Sequence, residues 1–148
     1  MTTTEVWTFL AEQRVLFVST VDRRGRPHTT PVWFTIEGEK LYFRSQPYKR
    51  KIRNLRLNPW VSCSAHAGDR YTELRGVLIT ARARIVEEPE LRQQIHAALM
   101  ERYAGERNYD EMPAEWRRRW LHEERVIVEL TPAKIVSWDN RKWSAQPK

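Results

Sequence analysis

Hydrophobic and polar residues alternate along most of this 148-residue chain, with the two-residue period of half-buried β-strands. Aromatic and β-branched residues recur in these stretches, and clusters of Gly, Pro, Asn and Asp separate them. Gly76 falls inside the longest stretch, where we expect it to bend the strand. The alternation predicts seven strands, over residues 15–21, 28–36, 40–43, 60–65, 71–86, 125–130 and 133–138, the last two being broken at Thr131-Pro132.

A helical period of three to four residues appears in two longer segments. Within the first dozen residues, Val6, Phe9 and Leu10 fall on one face, and Thr3 or Thr4 can cap the helix. From Pro89 to about Gly105 the apolar stripe predicts a helix that covers one side of the sheet. The stripe consists of Leu91, Ile95 and Leu99, with Ala98 and Tyr103 close to it.

Two further helices are predicted from weaker signals. One is short and basic, with Pro47 at its first position and Asn58-Pro59 at its end, and it buries Ile52 and Leu55. The other covers 110–124, where Trp116 and Trp120 are four residues apart and are interpreted as packing anchors.

Short turns between consecutive strands imply mostly antiparallel pairing, and closing such a sheet removes its edges. The prediction is therefore a mainly β protein with flanking α-helices, folded as a small barrel. The length of 148 residues fits a single domain over 1–148, with enough core to bury roughly two-thirds of the unfolded chain's surface.

The composition indicates the cellular compartment and the charge of the binding partners. The formal net charge of +7 favours anionic partners without choosing among phosphorylated small molecules, nucleic acid and acidic membranes. Cys63 is the only cysteine, so an intramolecular disulfide is impossible and a reducing cytosol is the natural setting. No apolar run is long enough to cross a bilayer, and the N-terminus lacks a signal sequence. We expect a cytoplasmic protein without a membrane partner.

The short basic helix begins with an unusual cluster of cations. Arg50 and Lys51 stand where backbone N–H groups already carry partial positive charge, so a bound anion such as phosphate would stabilise them there. The alternative is an ordinary solvated basic face formed by Lys49, Arg50, Lys51, Arg53 and Arg56. Spacing alone leaves both interpretations open.

The sequence gives little indication of a catalytic site built from the protein's own side chains. The four His are scattered and none pairs with Cys63, so no metal site is predicted. Gly-x-Ser-x-Gly, Walker and Rossmann patterns are absent. A basic pocket beside aromatic strands is suited to binding a redox cofactor, which carries its own reactive atoms. We therefore predict no catalytic side chain.

Three runs in order, at 25–34, 41–45 and 50–62, resemble the pyridoxamine 5'-phosphate oxidase-like split-barrel superfamily. They read Gly-Arg-Pro-His-Thr-Thr-Pro-Val-Trp-Phe, Leu-Tyr-Phe-Arg-Ser, and Arg-Lys through Asn58-Pro59 to Ser62. Their order and spacing are more specific than any one run, and the resemblance covers about residues 10–138.

The resemblance implies a six-stranded split β-barrel of the FMN-binding type. It also implies a homodimer that holds FMN, or alternatively the deazaflavin coenzyme F-420, in a groove between subunits. The implied cofactor-binding residues are Arg50 and Lys51 at the phosphate, Arg44 and Ser45 at the end of the preceding strand, and Thr30, Pro31, Val32 and Trp33 beside the ring. For Trp33, a place in the core remains an equal alternative to stacking on a flat ring.

The chain also departs from the pyridoxamine phosphate oxidases proper. Thr29 and Phe34 stand where those enzymes carry an Arg and a Lys, and no His follows Trp138. Oxidation of vitamin B6 is therefore not expected. The pattern is more similar to the F-420/FMN branch of the superfamily.

The resulting hypothesis is an FMN- or F-420-dependent oxidoreductase that passes a hydride to or from a small organic substrate. One alternative is a flavin- or haem-binding module without turnover. A less favoured one is a nucleic-acid-binding protein, because the basic residues lie beside aromatics.

Overall fold

The computed structural model describes residues 1–105, 111, 113–116, 118 and 124–143. The helices are α1 (Thr3–Glu12), α2 (Arg50–Leu57) and α3 (Pro89–Arg102). The strands are β1 (Leu16–Val21), β2 (Pro27–Val32), β3 (Phe34–Glu37), β4 (Lys40–Ser45), β5 (Trp60–Ala67), β6 (Arg75–Ile85) and β7 (Val126–Asp139). Short 3-10 turns cover Tyr71–Glu73 and Asn140–Trp143.

These seven described strands form one antiparallel sheet in the order β2-β1-β5-β6-β7-β4-β3. The strands at its two ends, β2 and β3, are consecutive in the chain and only Trp33 separates them. The sheet therefore curls round until its ends meet at one residue. If β2 and β3 are counted as one interrupted strand, six strands form a split barrel, which confirms the predicted fold class.

The prediction of one strand over residues 28–36 is wrong. The first half pairs with β1, whereas the second half pairs with β4, and the chain leaves the sheet at Trp33 to change neighbours. Val32, Trp33 and Phe34 form a continuous apolar run without a Gly, Asn or Asp between them, so the sequence has no turn signal at this break.

The reverse error occurs at the C-terminus, where two predicted strands are the single strand β7. Pro132 fits within it because β7 pairs with β4 only as far as Leu130, so one side of the strand needs no N–H donor beyond that point. On the other side, the register with β6 shifts between Thr80 and Ala81. The extra residue at this point is Ala133 of β7, whereas the register is regular on both sides of Gly76.

The helices largely follow their predictions. Val6, Phe9 and Leu10 of α1 are buried, but its cap is Thr2, which forms a capping box with Glu5. The predicted α3 is confirmed, with Ile95, Leu99 and Tyr103 buried. The helix predicted over 110–124 lies mainly outside the described residues.

The helix α2 begins three residues after its predicted first position. Pro47 lies in the turn before the helix, and Arg50 is the first helical residue. Ile52 and Leu55 are buried as predicted, and Asn58 caps the C-terminal end. The helix packs against β1 and β6, so its opposite face is left exposed.

Buried residues form two clusters. The larger fills the barrel and includes Leu16, Phe34, Phe43 and Ile79. The smaller lies between α3 and the sheet, around Tyr103. Trp33 packs against this smaller cluster, so the break between β2 and β3 lies beside α3. Among the described helices, none has the length and apolar composition to span a bilayer.

Candidate functional site

A cavity of about 280 Å³ opens where the sheet ends meet. Contributions come from the end of β2, the Trp33 break, the end of β4, the first turn of α2 and the C-terminal half of α3. The described residues that line it are Pro31, Val32, Trp33, Arg44, Gln46, Lys51, Leu99, Tyr103 and Arg125.

Five of the eight residues predicted to bind a cofactor lie in this lining: Pro31, Val32, Trp33, Arg44 and Lys51. They come from three segments of sequence between 31 and 51, and only the folding of the barrel brings them together. The structure therefore groups most of the predicted site into one concave surface.

The other three predicted residues lie outside the lining. Thr30 points the same way as Val32 along β2, and its buried Oγ1 has no hydrogen-bond partner within the described residues. Ser45 is buried and its hydroxyl donates to the carbonyl oxygen of Gln46 at 3.3 Å. The Arg50 guanidinium donates to Asp22 Oδ2 at 3.3 Å and lines a different surface cavity.

Trp33 is held in place by Tyr103. The two rings stack with centroids 4.3 Å apart and an angle of 3° between their planes. The Tyr103 hydroxyl accepts from the N–H of Phe34 at 2.9 Å and lies 2.8 Å from the Arg14 carbonyl oxygen, to which it donates. The α3 residue Tyr103 thereby satisfies backbone groups where the chain leaves one neighbour strand for another. Trp33 is neither a fully buried core residue nor a free platform, since Tyr103 occupies one of its faces.

Lys51 is a half-buried cation in the first turn of α2. Burial lowers its pKa, and the charge of Lys49 lowers it further. Within the described residues, Lys51 has no carboxylate partner. The helix start also lacks an acidic residue and a side-chain cap, so its backbone N–H groups lie next to cations instead of an anion.

Two arginines add to the positive lining. Arg44 lies at the end of β4, with its guanidinium 3.2 Å from His96 Nδ1, and Arg125 precedes β7. The apolar part of the lining comes from Val32, Leu99 and the two stacked rings. A flat aromatic ligand with an anionic group fits this division into an apolar wall and a cationic wall.

Sequence reasoning missed Gln46, Leu99, Tyr103 and Arg125. Leu99 and Tyr103 belong to the apolar stripe of α3, and periodicity does not distinguish a residue that lines a cavity from one that fills the core. Gln46 directly follows the predicted Ser45, so extending that match by one residue would have included it. Arg125 carries no local signal.

Other chemistries find no support in the described residues. No group of three or more His, Cys, Asp or Glu is arranged there to hold a metal ion. Cys63 is buried, and burial raises the pKa of its thiol to about 12, so it stays protonated and unreactive.

Comparison with known proteins agrees with this geometry. The family model described as pyridoxamine 5'-phosphate oxidase matches residues 2–139. The closed six-strand arrangement and the cavity at its seam define a split-barrel protein of the pyridoxamine 5'-phosphate oxidase-like type. The chain belongs to the pyridoxamine 5'-phosphate oxidase family. No curated protein matched the sequence.

Several solved structures are similar to the whole chain. A conserved hypothetical protein, Rv2991 from Mycobacterium tuberculosis, is 30% identical with a TM-score of 0.83, covering 100% of this chain and 90% of that one. An F420 reductase is 26% identical with a TM-score of 0.64, covering 87% and 94%. The heme storage protein HutZ from Vibrio cholerae, at 23% identity, TM-score 0.71 and 93% coverage of both chains, shares the fold.

Proposed function

We propose that this protein is an oxidoreductase that binds FMN, or alternatively coenzyme F-420, and transfers a hydride to or from a small organic substrate. The observation that carries the proposal is Lys51, a half-buried cation without a carboxylate partner in the described chain, at a helix start that lacks acidic residues. An anion bound there would restore the solvation that Lys51 loses on burial.

The lining residues divide into two roles. Lys51 and the N–H groups of the first turn of α2 hold the phosphate, and Arg44 and Arg125 add positive charge nearby. Trp33 and Val32 flank the ring, and Tyr103 fixes the orientation of Trp33. The bound cofactor supplies the hydride chemistry, while the protein binds, orients and excludes water. No side chain is assigned a catalytic role.

No residue in the lining decides between the two cofactors, and we name FMN first and F-420 as the alternative. The same cationic wall serves either phosphate, and the similarity to an F420 reductase supports the alternative. A visible spectrum of the purified protein distinguishes the two cofactors, because FMN absorbs at about 450 nm and the deazaflavin at about 420 nm.

We also propose a homodimer with the cofactor at the interface. Leu78 of β6 and Val136 of β7 are direct neighbours in the sheet, and both are exposed on its outer face beside Trp138. Exposed apolar side chains grouped on one face are typical of a protein–protein interface.

The decisive experiment is mass analysis of the small molecule released when the native protein is denatured, followed by titration of the apoprotein with FMN and with F-420. Lys51→Gln should weaken binding of the preferred cofactor at least tenfold, since a charge-assisted phosphate contact contributes about 1.5–3 kcal/mol. Lys49→Gln is the matched control, because Lys49 lies outside the cavity lining. Release of no redox cofactor together with failure to take up either one would contradict the proposal.

Turnover separates an oxidoreductase from a binding module. The reduced cofactor is mixed with candidate acceptors in the presence of catalytic amounts of protein, and its steady-state oxidation is followed by absorbance. Oxidation faster than the protein-free reaction supports an enzyme. Tight binding without any acceleration across a broad set of acceptors favours the flavin- or haem-binding module.

A further inference from the structure

A second cavity, of about 570 Å³, lies on the other side of α2 from the cofactor site. Its two walls each carry three arginines, and we call it the arginine groove. The turn between β1 and β2 contributes Arg23, Arg24 and Arg26, and the exposed face of α2 contributes Arg50, Arg53 and Arg56. Leu57 is the apolar side chain in its lining.

Asp22 connects the two walls. Its Oδ1 accepts from the backbone N–H groups of Arg24 and Arg26, and its Oδ2 accepts from the Arg26 and Arg50 side chains at 2.9 and 3.3 Å. These contacts fix the turn and tie it to the first residue of α2. The groove is therefore held open in a defined shape before any ligand arrives.

One carboxylate cannot neutralise six guanidinium groups. In the part of the chain that the structure describes, four of them make no ion pair: Arg23, Arg24, Arg53 and Arg56. Like charges held on facing walls repel each other, so this surface is stabilised by a ligand with several negative charges.

We propose that the arginine groove binds the phosphodiester backbone of single-stranded nucleic acid. The arginines of α2 recur every third residue and span about 9 Å along the helix, which suits a linear anion better than a single compact one. Guanidinium groups present paired donors that match phosphate oxygens. Seven of the nine described residues that line the groove are ionisable, so charged groups supply most of the contacts available to a ligand.

Two exposed aromatic residues flank the basic helix. Tyr48 precedes α2 and is 55% exposed, and Trp60 follows it and is 46% exposed. Bases of an unpaired strand stack on such rings without sequence preference. Neither ring lines the groove itself, but exposed aromatic residues before and after the arginine row favour nucleic acid over a chain of carboxylates, which has no bases to stack.

The groove is separate from the cofactor cavity. Arg50 and Lys51 are consecutive on α2, but Arg50 lines the groove whereas Lys51 lines the cofactor cavity. The two linings have no residue in common, and this proposal does not depend on the proposed function.

The test is fluorescence anisotropy of a labelled twelve-residue oligothymidylate titrated with the full-length protein over a series of salt concentrations. Contact with about four to six phosphates predicts a slope of log affinity against log salt of about −3 to −4. Arg53→Gln with Arg56→Gln should weaken binding at least tenfold at low salt and make the slope shallower by about 1.4. Arg23→Gln with Arg24→Gln tests the opposite wall and should do the same.

The matched control is Arg70→Gln with Lys134→Gln, which removes two exposed positive charges outside the groove. Unchanged binding in this control and in the presence of saturating FMN supports a dedicated groove. The proposal is overturned if the groove variants bind as well as the wild type, if FMN competes with the oligonucleotide, or if an oligoglutamate of equal charge binds as tightly. Circular dichroism of each variant verifies that it is folded.

Discussion

At the scale of single residues, the structure distributes basic side chains over two distinct surfaces, the cavity at the barrel seam and the arginine groove. Lys51 and Arg50 are neighbours in sequence, but they line different cavities because successive helical residues point about 100° apart. The assignment of both to one phosphate remains a prediction. Its test is separate substitution of the two residues, in which loss of FMN binding on Arg50→Gln as well as Lys51→Gln supports a shared phosphate.

The lowered pKa of Lys51 predicts that cofactor binding depends on pH. Only the protonated ammonium attracts phosphate, so affinity should fall as pH rises, and it should begin to fall below the usual titration range of a lysine. Titrations of FMN binding between pH 7 and 10 measure this effect. In Lys51→Arg the fall should disappear, because a guanidinium stays charged throughout. An equally steep fall in that variant would assign it to another group.

Glu129 illustrates a residue whose role comes entirely from its partners. It is buried on β7 and accepts hydrogen bonds from Lys40 at 3.1 Å, Tyr42 at 3.0 Å and Arg84 at 2.9 Å. Burial alone raises the pKa of Glu129, but the contacts with Arg84, Lys40 and Tyr42 outweigh it and lower the pKa to about 2. The same cluster raises the pKa of Tyr42 to about 12, through burial and the Glu129 carboxylate.

Because the folded-state pKa of Glu129 is lowered, its contribution to stability should be complete above the unfolded value of about 4.3 and decline as pH falls toward about 2. Glu129→Gln should cost about 2–4 kcal/mol at pH 7, and this cost should shrink at pH 3. Urea unfolding at both pH values measures it. Glu87→Gln, at an exposed position, serves as the control. A cost independent of pH would contradict the charged role of Glu129.

At the scale of elements, the break between β2 and β3 shapes the cavity in which we propose that the cofactor binds. An uninterrupted strand would keep Trp33 in the ladder, whereas the break places Trp33 beside α3. The ends of α1 and α3 are joined there as well, since Arg14 donates to the carbonyl oxygen of Arg102 and Arg102 donates to that of Ala11. This exchange satisfies carbonyl groups at both helix ends and fixes α3 against the seam of the barrel.

Tyr103→Phe tests the importance of this seam. The ring stack on Trp33 remains, but the Phe34 N–H and the Arg14 carbonyl oxygen lose their common partner, so the free energy of unfolding should fall by about 1–3 kcal/mol. FMN affinity should also fall, because Trp33 loses its fixed orientation. Urea unfolding and FMN titration measure the two effects. Tyr71→Phe, at an exposed 3-10 turn, should change neither; an unchanged Tyr103→Phe would mean that the stack alone holds the break.

At the scale of the whole molecule, the barrel leaves an apolar strip on the outside of β6 and β7. Trp138 covers Gly76, where a Cβ would overlap its ring, and Leu78 and Val136 continue the strip. This exposed apolar strip is the face on which we place the contact of the proposed homodimer.

Leu78→Lys with Val136→Lys should convert the proposed dimer to a monomer, because facing copies would then bury four uncompensated charges. Sedimentation velocity measures the oligomeric state. The control Thr80→Lys adds a charge farther along β6 on an already polar position. A wild type that sediments as a monomer at micromolar concentration, or a dimer that survives the double substitution, would place the interface elsewhere or exclude it.

The sequence alone determined the buried faces of α1, α2 and α3, the family and five of the nine described residues that line the cavity. The predicted count of seven strands agrees only because one predicted strand is two and two predicted strands are one. These properties depend on local periodicity or on motifs that keep their order along the chain. Only the tertiary structure decided that the second strand is broken at Trp33, that β7 continues through Pro132, and that Arg50 and Lys51 line different cavities. Each of these depends on which strand or helix lies alongside, and Tyr103 is 70 positions from Trp33 in the sequence. Contacts between segments so far apart leave no period in the residues that make them.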